Sequence, residues 1–287
     1  MFVAALLCQV ILATAAFAVP TAKERLAHRV ARRAAGLTRQ SLPHQPTEFS
    51  ESTVASEVNV ASEVNGRDNA TPAAVLYSTD WAGAVLSEKA ATYKKVTGTF
   101  VVPTPKKPSG GSGAYQAAAM VGIDGDTCGS TILEAGVDFN VNGSSVSYYA
   151  WYEWYPAGAS YFSEEITFKA GDTVTVTVEA TSKTSGMAWV QNHRTGKRVS
   201  HTFSGQPPLC QYDAEWIIED LDRTHTPFAN FGKVAFTNAT AHTLAGKTVG
   251  PANAQRFDLV VNTKPVTKVT TGPHSVTITY TGPPASK

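Results

Sequence analysis

The sequence predicts an all-β fold, either a sandwich or a barrel of short strands. From about Leu76 onward, short runs of β-branched and aromatic residues alternate with Gly, Pro and Asn-Gly turns. Charged residues make up only 16% of the chain, and no long helical pattern is present. Such a composition is more typical of a Thr-, Ser- and Val-rich β protein than of a helical one. Many short strands at even spacing are found in both sandwiches and barrels.

Each predicted strand is a run rich in Val, Ile, Thr, Tyr, Phe or Trp that ends at a turn residue. In chain order the predicted strands are Val96–Val102, Ala117–Ile123, Thr131–Asn140, Ser145–Tyr155, Thr173–Ala180, Met187–Gln191, Val199–Phe203, Glu215–Glu219, Val234–Thr237, Arg256–Val261 and Ser275–Tyr280. Between the third and fourth of these, Asn142-Gly143 is a strong hairpin signal, because both residues tolerate the positive φ of a tight turn.

The first 18 residues have the pattern of a signal peptide. Met1–Ala18 is an apolar run that ends in Ala16-Phe17-Ala18, a small-x-small cleavage signature. A membrane-spanning helix needs about 20 apolar residues, and no other stretch of the sequence approaches that length. We therefore expect a secreted, extracellular protein without a membrane anchor.

Residues 19–75 differ in composition from the rest of the chain. Six Lys and Arg residues and one acid lie between Val19 and Thr47, and Lys23–Leu37 has the pattern of a basic amphipathic helix. The hexapeptide of Val54–Asn59 is then repeated in Val60–Asn65, which is typical of a polar linker. This region is either a disordered tail or a removable pro-segment. Its place between a signal peptide and a compact domain favours a pro-segment that inhibits the domain of residues 76–287.

Charge and motifs exclude several classes of partner. The chain has a formal net charge of +1, so no strong field attracts nucleic acid or an anionic membrane. The sequence contains no phosphate-binding loop, helix-turn-helix or zinc-ligand cluster. We expect a monomer that uses neither a metal nor another cofactor.

Carboxylates recur on one face of the predicted strands. Side chains alternate between the two faces of a strand, and this rule puts a set of acids together with aromatic residues on one side. The set is Asp124, Glu134, Asp138, Glu153 and Glu219. Carboxyls crowded on one face are forced to share protons, which suits a hydrolase that works in acid. An ordinary polar sheet face has the same alternation, so the pattern leaves both interpretations open.

Other hydrolase designs have no support in the sequence. The chain has no Gly-x-Ser-x-Gly for a serine nucleophile and no Asp-Thr-Gly or Asp-Ser-Gly for an aspartic dyad. It also lacks the His-Glu-x-x-His of zinc peptidases.

Seven short blocks, in one order, resemble the fungal glutamic peptidases. The blocks are Asp80–Val85, Val121–Cys128, Ile132–Asp138, Ala150–Pro156, Thr184–Gly186, Ala214–Asp220 and Pro227–Ala229. The resemblance implies a concanavalin A-like sandwich of two antiparallel sheets, synthesis as a precursor and endopeptidase activity in acid on protein substrates.

The resemblance also assigns roles to individual residues. The catalytic glutamate of the family matches Glu219, and the catalytic glutamine matches Glu134, which is a departure from the family. A second departure is Met120, where the family usually has tryptophan. Positions that line the cleft or support the dyad match Trp81, Asp124, Asp138, Trp151 and Glu153.

The cysteine count leaves two alternatives after removal of a signal peptide. Cys128 and Cys210 would remain, either as one disulfide or as two buried thiols, and an oxidising compartment favours the disulfide. The resemblance implies the disulfide as well, since both cysteines match the positions of the family's bond.

Glutamate at position 134 changes the chemistry that the site can perform. A glutamine amide donates to a developing oxyanion, whereas an ionised Glu134 would repel both Glu219 and the oxyanion. A protonated Glu134 can donate through its hydroxyl, and two glutamates sharing one proton would resemble the dyad of aspartic proteases. The chain is therefore either active over a shifted, more acidic range, or a weak or inactive relative.

Two further functions remain compatible with the residues. A concave sheet with tryptophans and paired glutamates also suits a domain that binds or cleaves polysaccharide. Trp81, Trp151 and Tyr155 could stack on sugars. A non-catalytic relative that retains the cleft is the third alternative, and the block matches favour the peptidase over both.

Overall fold

The computed structural model describes residues 74–162, 166–220 and 227–284. The strands, numbered along the chain, are β1 (Leu76–Ser78), β2 (Trp81–Ser87), β3 (Tyr93–Val101), β4 (Ala114–Ile123), β5 (Ile132–Asn142), β6 (Ser145–Tyr155), β7 (Ser160–Tyr161), β8 (Thr173–Ser182), β9 (Ser185–Asn192), β10 (Arg198–Phe203), β11 (Asp213–Glu219), β12 (Lys233–Thr243), β13 (Thr248–Val249), β14 (Gln255–Val261), β15 (Lys264–Pro265), β16 (Thr267–Gly272) and β17 (Ser275–Tyr280). Across these ranges the only helix is a 3-10 turn, Pro251–Asn253, and no helix is long and apolar enough to span a bilayer.

Every strand predicted from the sequence is present, and two of them, β6 and β17, have the predicted bounds. The sequence did not predict β1, β2, β7, β13, β15 or β16. Four of these six are only two or three residues long. The longer β2 has the sequence WAGAVLS, and its Ala and Gly residues have weak strand propensity.

The strands form two sheets, which confirms a sandwich and not a barrel. One sheet has nine strands in the order β1-β14-β2-β11-β4-β5-β6-β7, with β15 paired to β14. The other has eight strands in the order β10-β9-β8-β3-β12-β17-β16, with β13 paired to β12. All pairs of named strands are antiparallel except β1 with β14.

The main hydrophobic core lies between the two sheets. Phe100 of the eight-stranded sheet makes edge contacts with Phe139 of the opposite sheet and with Phe236, at ring-centroid distances of 6.2 and 5.4 Å. Trp216 of β11 crosses the core and donates a hydrogen bond from Nε1 to the Thr97 carbonyl oxygen, at 2.8 Å. This bond satisfies the buried indole and ties the centre of one sheet to the other.

The nine-stranded sheet is buried on its second face as well. Alternation along β4 sends Ala119 and Val121 into the main core and turns Ala118 and Met120 to the opposite side. There they join a second apolar cluster, which contains Trp81, Val85, Trp151, Ala159, Ile217 and Phe257. We call this side of the nine-stranded sheet the site face, because four of the five predicted carboxylates, Glu134, Asp138, Glu153 and Glu219, lie on it.

The predicted signal peptide, residues 1–18, lies outside the described residues, as does the predicted pro-segment up to residue 73. The first described strand begins at Leu76, the residue at which we expect the processed domain to begin. The processing site itself stays a prediction.

Candidate active site

Strand register arranges the site face into three rows of side chains. In strand order β11, β4, β5 and β6, the first row is Glu215, Gly122, Glu134 and Glu153, and the second is Ile217, Met120, Gly136 and Trp151. The third row begins one strand earlier, on β2, and contains Trp81, Glu219, Ala118, Asp138 and Tyr149. Carboxyls therefore occupy the two outer rows, and apolar side chains with one glycine separate them.

The carboxyls of the site face are buried. Glu134 is 0% exposed and Glu219 is 5% exposed, and the values for Glu153, Glu215 and Asp138 lie between these. Placing several carboxyls in a poorly hydrated site disfavours the ionised form of each, and close neighbours disfavour it further. The arrangement therefore favours carboxyls that hold or share protons.

Glu215 is a site residue that the sequence analysis did not select. Its carboxylate lies beside Gly122 and Gly125. A Cβ atom on Gly122 would be 3.6 Å from Glu215 Oε2 and 3.7 Å from Glu134 Cβ, and a Cβ atom on Gly125 would be 2.9 Å from both oxygens of Glu215. Glu153 is the direct register partner of Glu134 on the other side. The alternation of Glu215, Ile217 and Glu219 in β11 was the signal that could have identified it.

Gly136 leaves room for the Trp151 ring in the second row. A Cβ atom on Gly136 would be 2.8 Å from Trp151 Cζ2 and 3.0 Å from Met120 Cβ. The indole of Trp151 therefore lies across the glycine and against Met120. This packing fills the space between the two rows of carboxyls.

In the third row, Glu219 lies opposite Trp81, whose ring packs on Phe257 with the ring centroids 4.5 Å apart. On the far side of the same row, Asp138 accepts a hydrogen bond from Tyr161 Oη at 2.9 Å. The short strand β7 thus fixes the orientation of this carboxyl.

Asp124 does not lie on the site face, so strand alternation gave a wrong placement for it. Asp124 follows the last residue of β4 and has a φ of 65°. This left-handed conformation ends the alternation of the strand. Its carboxylate accepts hydrogen bonds from the backbone N–H groups of Gln211, Tyr212 and Asp213, at 2.8, 2.7 and 3.3 Å.

Asp213, at the start of β11, in turn binds the loop after β4. Its carboxylate accepts hydrogen bonds from the Thr127 N–H and hydroxyl groups, at 2.8 and 2.7 Å, and from the Cys128 N–H at 3.2 Å. A Cys128–Cys210 disulfide joins the same two loops, which confirms the predicted bond. Together these contacts hold the loop after β4 against the start of β11, the strand that carries Glu215 and Glu219.

Burial raises the pKa of Asp124 and Asp126 in these loops. It raises the pKa of Asp124 to about 6, although the N–H donors act in the opposite direction. Burial, together with the charge of nearby Asp213, also raises the pKa of Asp126 to about 6. Both carboxyls are therefore protonated over most of the acid range.

One group of described side chains has potential metal ligands close together, namely Asp124, Cys128 and Cys210. Its two sulfur atoms are bonded to each other, so neither offers the thiolate that a metal would need. The expectation of a site that uses no metal stays a prediction.

The chain is similar to a known family and to two named proteins over most of its length. Residues 79–280 match the model of the peptidase A4 family. The chain is 43% identical to aspergillopepsin-2 of Aspergillus niger, in an alignment that covers 93% of this chain and 95% of the relative. It is 35% identical to scytalidopepsin B of Scytalidium lignicola, over 96% of this chain and 98% of the relative.

Solved structures of two glutamic peptidases have the same fold as this chain. Scytalido-glutamic peptidase with a transition state analog inhibitor is 36% identical and aligns with a TM-score of 0.63, covering 70% of this chain and 98% of its own. Aspergilloglutamic peptidase from Aspergillus niger is 50% identical and aligns with a TM-score of 0.55, covering 58% of this chain and 99% of its own.

Proposed function

The chain belongs to the peptidase A4 family, and on that basis we propose that it is a secreted acid endopeptidase that cleaves proteins with water activated by Glu219. The observation that carries the proposal is the arrangement of the site face. Glu219 and Glu134 occupy separate rows of one buried face, and the side chains of Met120 and Trp151 lie between those rows.

In the proposed reaction, ionised Glu219 takes a proton from water while the water oxygen attacks the carbonyl carbon of the scissile peptide bond. Protonated Glu134 donates a hydrogen bond to the oxygen on which negative charge develops. When the C–N bond breaks, Glu219 gives its proton to the departing amine nitrogen. The products are a new carboxyl terminus and a new amino terminus, and Glu219 is ionised again.

The requirement for a protonated Glu134 makes the reaction an acid one. The resemblance to the family implies a glutamine amide at this position, which would donate at every pH, whereas a carboxyl donates only while it holds its proton. Glu153 and Glu215 flank Glu134 in the same row, and their charges disfavour its ionisation. We propose that the three first-row carboxyls together keep Glu134 protonated, and that the active range is correspondingly acidic.

The remaining predicted site residues have supporting roles in this proposal. Trp81 and Trp151 pack in the apolar cluster that supports the carboxyls of the site face, and Asp138, oriented by Tyr161, helps to position the substrate. Asp124 acts from outside the face, because it fixes the loop at the start of β11 and so the position of Glu219.

The leading residues are proposed to be a signal peptide, residues 1–18, and an inhibitory pro-segment, residues 19–75. The alignments with full-length relatives cover 93–96% of this chain, whereas the solved scytalido-glutamic peptidase chain covers only 70% although 98% of its own length is matched. This difference supports removal of a leading segment. The basic stretch from Lys23 to Arg39 would lie over the ionised carboxyls of the site face, and acid would weaken the attraction by protonating them.

Sequencing the N-terminus of the secreted protein tests this maturation. Processed, active protein should begin near Leu76 and sediment as a monomer. Active protein that still begins at Val19 would contradict the proposed pro-segment.

The structure gives less support to a sugar-binding site. Trp151 is 0% exposed and packs against Met120 across Gly136, so it does not present a ring face to solvent. Trp81 packs on Phe257 in the same way. Both rings act as parts of an apolar cluster, whereas sugar platforms leave a ring face open.

The test of the proposed function compares two polymers at acid pH. Purified, processed protein should release new amino termini from an unfolded protein, and mass spectrometry of the products should show internal cleavage. A β-glucan under the same conditions should yield no new reducing ends. Cleavage of the glucan, or release of no new ends from either polymer, would reject the proposal.

A further inference from the structure

Gln116 lies on the site face but has no role in the reaction proposed above. It is two residues before Ala118 on β4, so alternation turns it to the same side as Ala118 and Met120. Ala118 is the register partner of Glu219, which makes Gln116 a diagonal neighbour of the proposed base. Gln116 and Glu219 are both 5% exposed.

The main chain of Gln116 is fixed on both sides. On one side it pairs with Asn140 of β5. On the other, its N–H donates to the Pro227 carbonyl oxygen at 3.1 Å, and the Ala229 N–H donates to the Gln116 carbonyl oxygen at 2.9 Å. The backbone therefore needs no hydrogen bond from the Gln116 side chain.

The side-chain nitrogen of Gln116 is buried, and within the described part of the chain it has no hydrogen-bond partner. Folded proteins rarely retain such a donor, because a buried amide that has lost water and gained nothing is destabilising. Asn140, the register partner of Gln116 in β5, is different: its Nδ2 donates to the Ser147 carbonyl oxygen at 3.3 Å. An unsatisfied amide beside a satisfied one indicates that the Gln116 amide is kept for a ligand.

The distance between Gln116 and Glu219 indicates which group of a ligand would reach the Gln116 amide. Diagonal neighbours across an antiparallel pair lie about 7–8 Å apart, which is roughly two residues of an extended peptide. A peptide whose scissile bond lies at Glu219 would therefore bring a main-chain carbonyl oxygen to Gln116 one or two residues away. An amide N–H is a suitable donor for that oxygen at any pH, because it does not titrate.

A cavity of about 470 Å³ lies at the same end of the sheet. Pro227 and Phe228, the segment to which Gln116 is hydrogen-bonded, line it together with Asp220, the residue after Glu219. Tyr77 and Val260 complete an apolar part of its wall. Its size is within the range of pockets that enclose small ligands.

We propose that Gln116 binds the substrate main chain: its Nε2 donates to a carbonyl oxygen one or two residues from the scissile bond. A neighbouring apolar side chain of the substrate enters the cavity lined by Tyr77, Phe228 and Val260. This inference rests on the proposed peptidase function and specifies how its substrate is held on the side of Glu219 away from Glu134.

The test uses Gln116→Met, which keeps the length of the side chain and removes the amide. The kcat/KM ratio is measured for a peptide series shortened stepwise from either end. For the long peptides we expect a loss of about 2- to 12-fold, the range for one neutral hydrogen bond. The loss should disappear when the residue that binds Gln116 is removed by shortening the peptide from one end. It should persist when the peptide is shortened from the other end. The melting temperature should not fall, because the variant removes an unsatisfied donor.

Asn140→Leu is the matched control. It removes from the register partner of Gln116 an amide whose nitrogen is already bonded, so it should lower the melting temperature and leave the length dependence of kcat/KM unchanged. An equal loss of kcat/KM for every peptide with Gln116→Met, accompanied by a lower melting temperature, would show a purely structural role and overturn the proposal.

A binding measurement separates this inference from the proposed function. Calorimetry at acid pH compares the Kd of the longest peptide for Glu219→Gln and for Glu219→Gln combined with Gln116→Met. Binding that is 2- to 12-fold weaker in the double variant supports the role of Gln116 even if the parent protein has no turnover. Equal Kd values and equal kcat/KM ratios would overturn it even if the parent is an active peptidase.

Discussion

Glu134 and Glu215 lie on either side of Gly122, and Glu215 Oε2 is 3.6 Å from the point where a Gly122 side chain would begin. Gly122 therefore places no side chain between these two residues of the first row. Like charges on two carboxyls of one row would disfavour each other, and we propose that the protonation of Glu134 depends on this residue two strands away. The first two predictions follow from this relationship.

Replacing Glu134 with Gln should extend activity to higher pH. In the proposed mechanism the parent loses its oxyanion donor when Glu134 loses its proton, whereas an amide donates at every pH. The pH profile of kcat/KM on an unfolded protein should therefore be unchanged at low pH. The fall in kcat/KM at high pH, the upper limb of the profile, should be absent or shifted to higher pH. An identical upper limb in both proteins would show that Glu134 is not the titrating donor.

Replacing Glu215 with Gln should move the upper limb in the opposite direction. Without the charge of Glu215, Glu134 ionises more readily and the donor is lost at a lower pH. The same pH profile checks this, and the double variant Glu134→Gln/Glu215→Gln should have the upper limb of Glu134→Gln alone. An upward shift for Glu215→Gln would contradict the coupling across Gly122.

The domain should be more stable near pH 4 than near pH 7. Burial raises the pKa of Asp258 to about 6, in spite of a hydrogen bond from Thr267 Oγ1, and the pKa of Asp126 is likewise about 6. The folded state therefore binds protons that the unfolded state has released, and this stabilisation is complete below about pH 4 and is lost as the pH rises through 6.

Thermal unfolding at the two pH values measures the effect. Asp258→Asn should raise the melting temperature at pH 7 by about 2–6 °C and have little effect at pH 4. Asp172 provides the contrast: burial alone would raise its pKa, but hydrogen bonds from Arg194 and Asn192 outweigh burial and lower it to about 2. Asp172→Asn should therefore lower the melting temperature at both pH values.

The sheet faces could be predicted because alternation is a local property. β4, β5, β6 and β11 each have apolar side chains on one side, and that side faces the core of the sandwich. Alternation also predicts that Glu134, Glu153 and Glu219 share one face, as they do in the structure. It was wrong for Asp124, because a left-handed residue after β4 redirects the side chain, and no periodic pattern reports that turn.

Other features depend on long-range register, which a single sequence does not specify. The sequence contains Glu215 and Glu134, but their meeting across Gly122 requires the β11–β4 and β4–β5 pairings to be known. The same holds for Gln116 and Glu219. The short strands β7 and β15 consist of two residues each, so they form through their neighbours and leave no pattern of their own.

Breaking the disulfide should loosen the contact between the loop after β4 and the start of β11. Cys128 and Cys210 are 82 residues apart, and a bond that closes such a loop contributes about 3–5 kcal/mol in the chain-entropy model. The variant with both cysteines changed to Ser should unfold at a melting temperature lower by about 10 °C. Reduced parent protein is the control and should show a similar decrease; an unchanged value in both would contradict the prediction.

The proposed reaction depends on Glu219 as the base that activates the water. The most direct measurement is turnover of an unfolded protein by the processed parent and by Glu219→Gln, across the acid pH range and with both proteins shown to be folded by near-UV circular dichroism. We expect measurable internal cleavage by the parent and none above background by Glu219→Gln at any pH, because an amide cannot take the proton of the water. Equal turnover by both proteins would contradict it.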